Sequence, residues 1–318
     1  MYVHVIINPA AGGDSPILNR INDVFHPVGQ RWNVDVTNEP GDGTRFAREA
    51  VARGADIVAL YGGDGLVMEV ANGLAGSGVP MAILPGGTAN VMSVELNIPS
   101  DLTAACQLIL DERHLLQTVD LGELAGHGAF VLRIGLGLEA EMVQNADREF
   151  KERFGSLAYA LSALNALREG AVSRYQITVD GESFESEGLT CLICNSGSLG
   201  QGNFKIAPTI SVSDGLLDVI VLRRAALGSL VDMINQVVRG DESSNETFDH
   251  WQGRTIEVVA DPPQTVQLDG ELIEIERLSV SVVPGALQII VPAATSPDDE
   301  VMVELSDVSE TLADDQEL

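Results

Sequence analysis

The order of apolar runs predicts an α/β N-terminal domain with a mostly parallel sheet, followed by a C-terminal β-rich, sandwich-like domain. Three observations carry this. Up to Leu110, strand-like and helix-like patterns alternate across short loops, as in a parallel sheet covered on both faces. From Leu115 the runs are short, β-like and consecutive, the pattern of antiparallel sandwiches. Three early strands end in glycine-containing loops, at 8–13, 62–65 and 85–90, and in such sheets ligands lie beyond the carboxyl ends of the strands.

Tyr2–Ile7 reads as an apolar strand, ended by Asn8-Pro-Ala-Ala-Gly-Gly13 before a helix starting near Ser15. Trp32–Thr37 gives a strand and Thr44–Arg53 a helix. Ile57–Tyr61 is a buried strand that Gly62, Gly63, Asp64 and Gly65 cannot continue, and Val67, Val70, Ala71 and Leu74 then recur at helical spacing. Pro80–Leu84 is a fourth strand, Pro85–Asn90 a loop before a short helix, and Leu102–Leu110 a helix. The pattern changes at Leu115–Leu121. The later β-like runs are Phe130–Leu136, Tyr175–Val179, Leu189–Asn195, Leu217–Leu222, Thr255–Val259, Thr265–Leu268, Leu278–Val283 and Leu287–Val291, with helices expected at 156–168 and 227–239. Asn203–Gly215 reads as an ordered loop and Ser243–Asp249 as a polar, mobile one. The chain thus divides into residues 1–118, 119–294 and an acidic tail, 295–318, with too few large apolar residues to fold.

Net charge is −29 over 318 residues, and the body is acidic even without the tail. That argues against a nucleic-acid partner and against simple attraction to anionic lipid. A signal peptide and a membrane-spanning stretch are both missing from the pattern, so a cytoplasmic protein is expected. Cys191 and Cys194 form a C-x-x-C, but on a strand positions three apart face opposite sides, which favours core packing over a shared metal. Zinc-hydrolase, serine-hydrolase and P-loop signatures are absent.

The glycine turn at 62–65 suits an anion, because backbone N–H groups at a helix start point at whatever lies there. Asp64 complicates that picture. A carboxylate beside phosphate needs a cation between them, which points to magnesium-assisted phosphoryl chemistry. An ordinary strand-to-helix turn with an acidic cap explains the motif alone equally well.

Seven separated motifs together resemble the diacylglycerol kinase catalytic domain superfamily, which includes bacterial diacylglycerol kinases, sphingosine kinases and related lipid kinases. They are Asn8-Pro-x-x-Gly12, Gly62-Gly-Asp-Gly65 with Glu69-Val70-x-Asn72-Gly73, Pro85-x-Gly-Thr-x-Asn90, Val119-Asp-Leu-Gly122, Gly135-x-Gly137, Asp214-Gly-Leu-Leu-Asp218 and Asp269-Gly-Glu271. The resemblance spans Val3 to Pro292. It implies ATP between the two domains, magnesium, and transfer of the γ-phosphoryl to a lipid hydroxyl, with transient membrane-surface contact and no bar to a homodimer. By position, Asn8, Pro9, Ala10, Ala11, Gly12, Thr37, Gly62, Gly63, Asp64, Gly65, Leu66, Val67, Met68, Glu69, Gly87, Thr88 and Asn90 would line the nucleotide. Without the resemblance, Thr37 is simply a strand end.

The resemblance further implies that Asp64 organises catalytic magnesium and that Asp120 belongs to the same acidic cluster, although a buried structural aspartate explains Asp120 nearly as well. Glu271, in the catalytic set with Asp269, would take the proton of the attacking hydroxyl. A hairpin turn alone accounts for Asp269 and Gly270 but not for Glu271. A structural magnesium would take Asp214 and main-chain oxygens of Ser211 and Leu216, where a plain Ser-Asp-Gly turn is the competing account. Two positions depart from the family pattern: Leu66 replaces a common threonine and Val91 a common aspartate. NAD kinase, which shares Gly-Gly-Asp-Gly, and a nucleotide- or lipid-binding regulatory protein are the alternatives.

Overall fold

Strands covered on both faces must be apolar throughout. β1 (Tyr2–Ile7), β3 (Ile57–Gly62) and β4 (Met81–Pro85) are buried at every position, whereas β2 (Arg31–Val36) lies at the sheet edge and is largely exposed. They pair in parallel in the order β2-β1-β3-β4. In this computed structural model the chain is described for residues 1–13, 15–137, 172–200, 205–223 and 248–293. The expected helices at 156–168 and 227–239, residues 243–247 and the acidic tail lie outside the described residues.

Helices α1 (Ile17–Phe25) and α5 (Leu102–Leu110) bury Ile21, Phe25, Leu102, Cys106 and Ile109 against one face of this sheet. On the other face α2 (Asp42–Ala52), α3 (Asp64–Leu74) and the short α4 (Val91–Glu95) contribute Ala47, Ala50, Val67, Val70, Leu74 and Met92. Asp101 caps α5 by accepting the Ala104 N–H at 3.0 Å, the usual remedy for an unpaired helix-start donor.

The second part is a sandwich, as expected. One layer holds β5 (Leu115–Leu124), β6 (Gly128–Phe130), β8 (Ser173–Val179), β9 (Glu182–Gly188), β13 (Thr255–Asp261) and β16 (Arg277–Val291). The other runs in the order β12 (Phe248–Gly253), β11 (Leu217–Leu222), β10 (Thr190–Cys194), β7 (Arg133–Gly137), β14 (Val266–Leu268), β15 (Glu271–Ile273). Between them Tyr175, Ile177, Val258 and Val280 meet Ile134, Ile193, Val219 and Val221. Cys191 joins this core while Cys194 packs with Ile210 and Ile220 on the outer face, so the two thiols do point apart.

Four expectations differ. Leu278–Val283 and Leu287–Val291 form one strand, β16, with a bulge between Val283 and Leu287. Its last residues leave the sandwich and lie parallel to β4 at Ile289 and Met81, so one ten-stranded sheet runs through both lobes. Phe130–Leu136 is two strands, broken at Val131 and Leu132. Strands β9 and β12 add to the expected set, and β12 takes up Phe248 and Asp249 from the stretch read as a polar loop.

Candidate functional site

The three glycine-containing loops meet at the carboxyl edge of the parallel sheet. Asn8 donates its N–H to the Tyr61 carbonyl at 2.9 Å and turns the chain by accepting the Ala10 N–H on Oδ1 at 2.9 Å. The Gly12 N–H reaches the Gly86 carbonyl at 3.0 Å, tying Pro9, Ala10 and Ala11 to the 85–90 loop. Thr37 ends β2 beside them, its N–H donated to the Ile7 carbonyl at 2.9 Å. Asn90 closes its own loop, accepting from Gly87 N–H and donating to Gly87 C=O, both at 2.9 Å, and Thr88 is left exposed at the tip.

Gly63 and Gly87 explain why this junction is glycine-rich. A Cβ on Gly87 would stand 2.5 Å from Gly63 Cα, so the two backbones touch where any side chain would part them. Gly87→Ala is therefore expected to push the loops apart and weaken nucleotide binding about tenfold or more, a loss of about 1.4 kcal/mol. Calorimetric titration with ATP checks this.

Asp64 opens α3 just beyond this contact and is half-buried. Its Oδ1 accepts the Met92 N–H at 3.4 Å, and burial raises its carboxyl above the ordinary range, against the pull of the Val91 and Met92 N–H groups and of Arg133. Leu66 is buried and covers Gly62 and Gly43 with its side chain; Val67 is core and Met68 half-buried. Glu69 turns away from the loops. Its carboxylate accepts the Gly41 and Gly43 N–H groups at 2.9 and 2.7 Å and so caps the start of α2. The side chains of Leu66 and Glu69 are thus structural.

In the second lobe, β14 and β15 form a tight hairpin whose turn is Asp269-Gly270, both at positive φ. Asp269 is more than a turn residue. Its Oδ2 accepts the Val131 N–H at 2.7 Å and its Oδ1 those of Leu132 and Arg133 at 3.0 and 2.8 Å. This pull on three successive donors is what breaks the apolar run into β6 and β7. With both oxygens occupied, Asp269 holds the turn rather than moving protons, and Glu271, exposed and opposite Leu268, is the carboxylate presented to solvent. Arg133, which sequence reasoning missed, lies within Coulombic reach of both Asp64 and Asp269 and donates Nη1 to the Ser198 carbonyl at 3.0 Å. An arginine inside an otherwise apolar run was its only sequence signal. The lobes are joined close by, where Asn72 of α3 donates to the Ala129 carbonyl at 3.1 Å and accepts the Ala129 N–H at 3.3 Å.

Asp120 is part of a buried staple. It is 3% exposed and its oxygens accept the Gly215 and Gly285 N–H groups, both at 2.7 Å, stapling the 214–216 turn to the β16 bulge. Its charge and that of Asp218 both act on Asp214. Asp214 accepts the Leu216 N–H at 3.0 Å, and burial together with Asp218 and Asp120 raises its carboxyl; Ser211 lies two residues before Ser213, its hydroxyl 3.4 Å from that of Ser213. Among the described residues no three His, Cys, Asp or Glu side chains converge to hold a metal, so a cation here would fill its coordination with other oxygens, such as those of the main chain. Such an all-oxygen donor set suits a hard divalent ion at Asp64 or at Asp214.

Residues 2–124 match the family model described as diacylglycerol kinase catalytic domain, and residues 133–291 the one described as YegS C-terminal NAD kinase beta sandwich-like domain. The chain is 28% identical to a protein of Bacillus subtilis named diacylglycerol kinase, over 84% of this chain and 88% of that one. It is 34% identical to a Pseudomonas aeruginosa protein named "Probable lipid kinase YegS-like", over 84% and 87%. A crystal structure titled as a diacylglycerol kinase from Bacillus anthracis superposes with a TM-score of 0.75 at 27% identity, covering 92% of this chain and 98% of that chain.

Proposed function

Because this chain belongs to the diacylglycerol kinase catalytic domain family, a family of lipid kinases, we propose that it transfers the γ-phosphoryl group of ATP to the hydroxyl of a lipid alcohol. The observation that carries this reading is that the charge of Arg133, whose N–H is held by Asp269, acts both on Asp64 at the glycine loops and on Asp269 in the turn that leads into Glu271. The loops hold phosphates through backbone N–H groups. Glu271 accepts the proton of the attacking hydroxyl. Magnesium held at Asp64 would neutralise phosphate charge, and Arg133 adds a fixed positive charge on the same side. Phosphoryl transfer has a loose transition state, so this positioning and charge neutralisation contribute most of the acceleration.

Leu66 and Val91 fit the reading, since both are buried packing residues and neither distorts the loops they adjoin. Among the described residues no helix is long and apolar enough to cross a membrane, so a lipid acceptor is met at the bilayer surface. With a net charge of −29, that encounter does not rest on attraction to anionic headgroups. The second lobe's match to a NAD kinase-like sandwich keeps NAD phosphorylation as the second reading.

Incubation with labelled ATP and a panel of diacylglycerol, sphingoid base and other lipid alcohols tests the proposal. Labelled phospholipid is expected with magnesium and none after chelation by EDTA. Labelled NADP from NAD, with no lipid product, would reverse the ranking, and ATP binding without transfer to any acceptor would make the protein a regulatory binder.

A further inference from the structure

Helix α4 has five residues, and each end holds something across a gap. At its start the Met92 N–H bonds Asp64. At its end Glu95 reaches the second lobe, where Oε2 accepts the Ser198 N–H at 2.8 Å and the Ser196 hydroxyl at 3.1 Å, and Oε1 takes the Lys205 ammonium at 3.0 Å. The Glu95 side chain is 6% exposed and Ser198 1%. Burying a carboxylate is unfavourable unless its acceptor sites are filled, and every partner of this one comes from the other lobe. Ser198 passes the contact on: its carbonyl receives Arg133 Nη1 and its hydroxyl the Gly200 N–H at 3.1 Å. The chain of contacts therefore runs from Asp64 through α4, Glu95 and Ser198 to Arg133, whose charge acts back on Asp64.

We propose that Glu95 is a positioning residue for phosphoryl transfer, which clasps Ser196, Ser198 and Lys205 of the second lobe and, through the Ser198 carbonyl, fixes where the Arg133 guanidinium stands relative to Asp64. The proposal rests on the lipid-kinase reading above. A purely structural staple would also make these hydrogen bonds, but removing a staple changes stability and leaves turnover per folded molecule unchanged. Lys205 is the lesser member of the clasp, because its side chain is exposed and such partly solvated pairs contribute little.

The test uses the full-length protein with Glu95→Gln, which keeps the shape and one acceptor oxygen, and Glu95→Ala, which removes all of them. For a displacement of about 1 Å in the reacting groups, kcat for lipid phosphorylation is expected to fall about tenfold in Glu95→Gln and about 100-fold in Glu95→Ala. KM for ATP is expected to change by less than about twofold, since Glu95 itself bonds Ser196, Ser198 and Lys205 and no residue of the glycine loops. Amide hydrogen exchange of residues 196–200 should rise in both variants under conditions where circular dichroism shows them folded. Wild-type kcat in Glu95→Ala, or a lowered melting temperature as the only change, overturns the inference. Failure of the wild type to phosphorylate any lipid instead sinks the functional reading, and unchanged exchange at 196–200 in both variants removes the clasp whatever the activity.

Discussion

Glu271→Gln is expected to slow phosphoryl transfer by about 10² to 10⁴-fold, the contribution of a positioned general base, while ATP affinity stays within about twofold. Glutamine keeps the shape of glutamate but cannot accept the proton that the attacking hydroxyl must lose. The position favours a clean experiment. Glu271 is exposed at the start of β15, on a hairpin whose turn is fixed by Asp269 and not by Glu271 itself. A substitution there is expected to cost less than about 0.5 kcal/mol of stability, so lost activity cannot be ascribed to lost fold. The nucleotide loops belong to the other lobe, which is why ATP binding serves as the internal control. Initial rates with labelled ATP, beside calorimetric titration of the same preparation, check both halves. A variant that turns over at the wild-type rate would remove Glu271 from the chemistry and leave catalysis to positioning and charge alone.

The first lobe was legible because three of its four strands are buried at every position and its helices carry a periodic stripe, so most elements announce themselves locally. β1, β3, β4 and α5 fall within a residue or so of where pattern alone puts them. The second lobe was less so. β9 (Glu182–Gly188) is a polar hairpin partner of β8 exposed on most positions, and pairing of its backbone, not burial of its side chains, makes it a strand. The Pro284-Gly285 pair in β16 reads as a chain break. It is a bulge, and the reason is distant: the Gly285 N–H is held by Asp120, 165 residues earlier.

The site divides along the same line. Glycine motifs mark their own loops, since close backbone approach is possible for few other residues. The work of the carboxylates, by contrast, depends on partners that sequence does not show. Glu69 caps α2, Asp120 staples a bulge and Asp269 gathers three amides, and in each case the partner lies far along the chain. Glu95 and Arg133 belong to no motif, and become visible only when the two lobes are brought together.

Asp269→Ala is expected to destabilise the protein by about 3 kcal/mol or more, because it strands three amide donors and each buried donor without an acceptor costs about 1–3 kcal/mol. That is a large part of the total stability of an ordinary domain, about 5–15 kcal/mol. Asp269→Asn should fall between, since its carbonyl oxygen can still accept from Leu132 and Arg133 while its NH₂ is set against the Val131 N–H, donor facing donor. The pH dependence separates these effects from general damage. Burial pushes the Asp269 carboxyl from 3.8 up to about 6, overcoming the three N–H bonds and Arg133, which act in the opposite direction. Between those values the folded protein retains a proton that the unfolded chain has released. Stability from this group is therefore complete below pH 3.8 and declines as pH rises through 6, since the unfolded state binds fewer protons there. Asparagine cannot titrate, so the stability gap between wild type and Asp269→Asn is expected to be wider at acid pH and to narrow toward neutrality, read as urea midpoints across that range. Other acidic groups titrate in both proteins alike and cancel in the difference. A gap that instead widens with rising pH would mean that the amides dominate over burial and hold Asp269 ionised throughout.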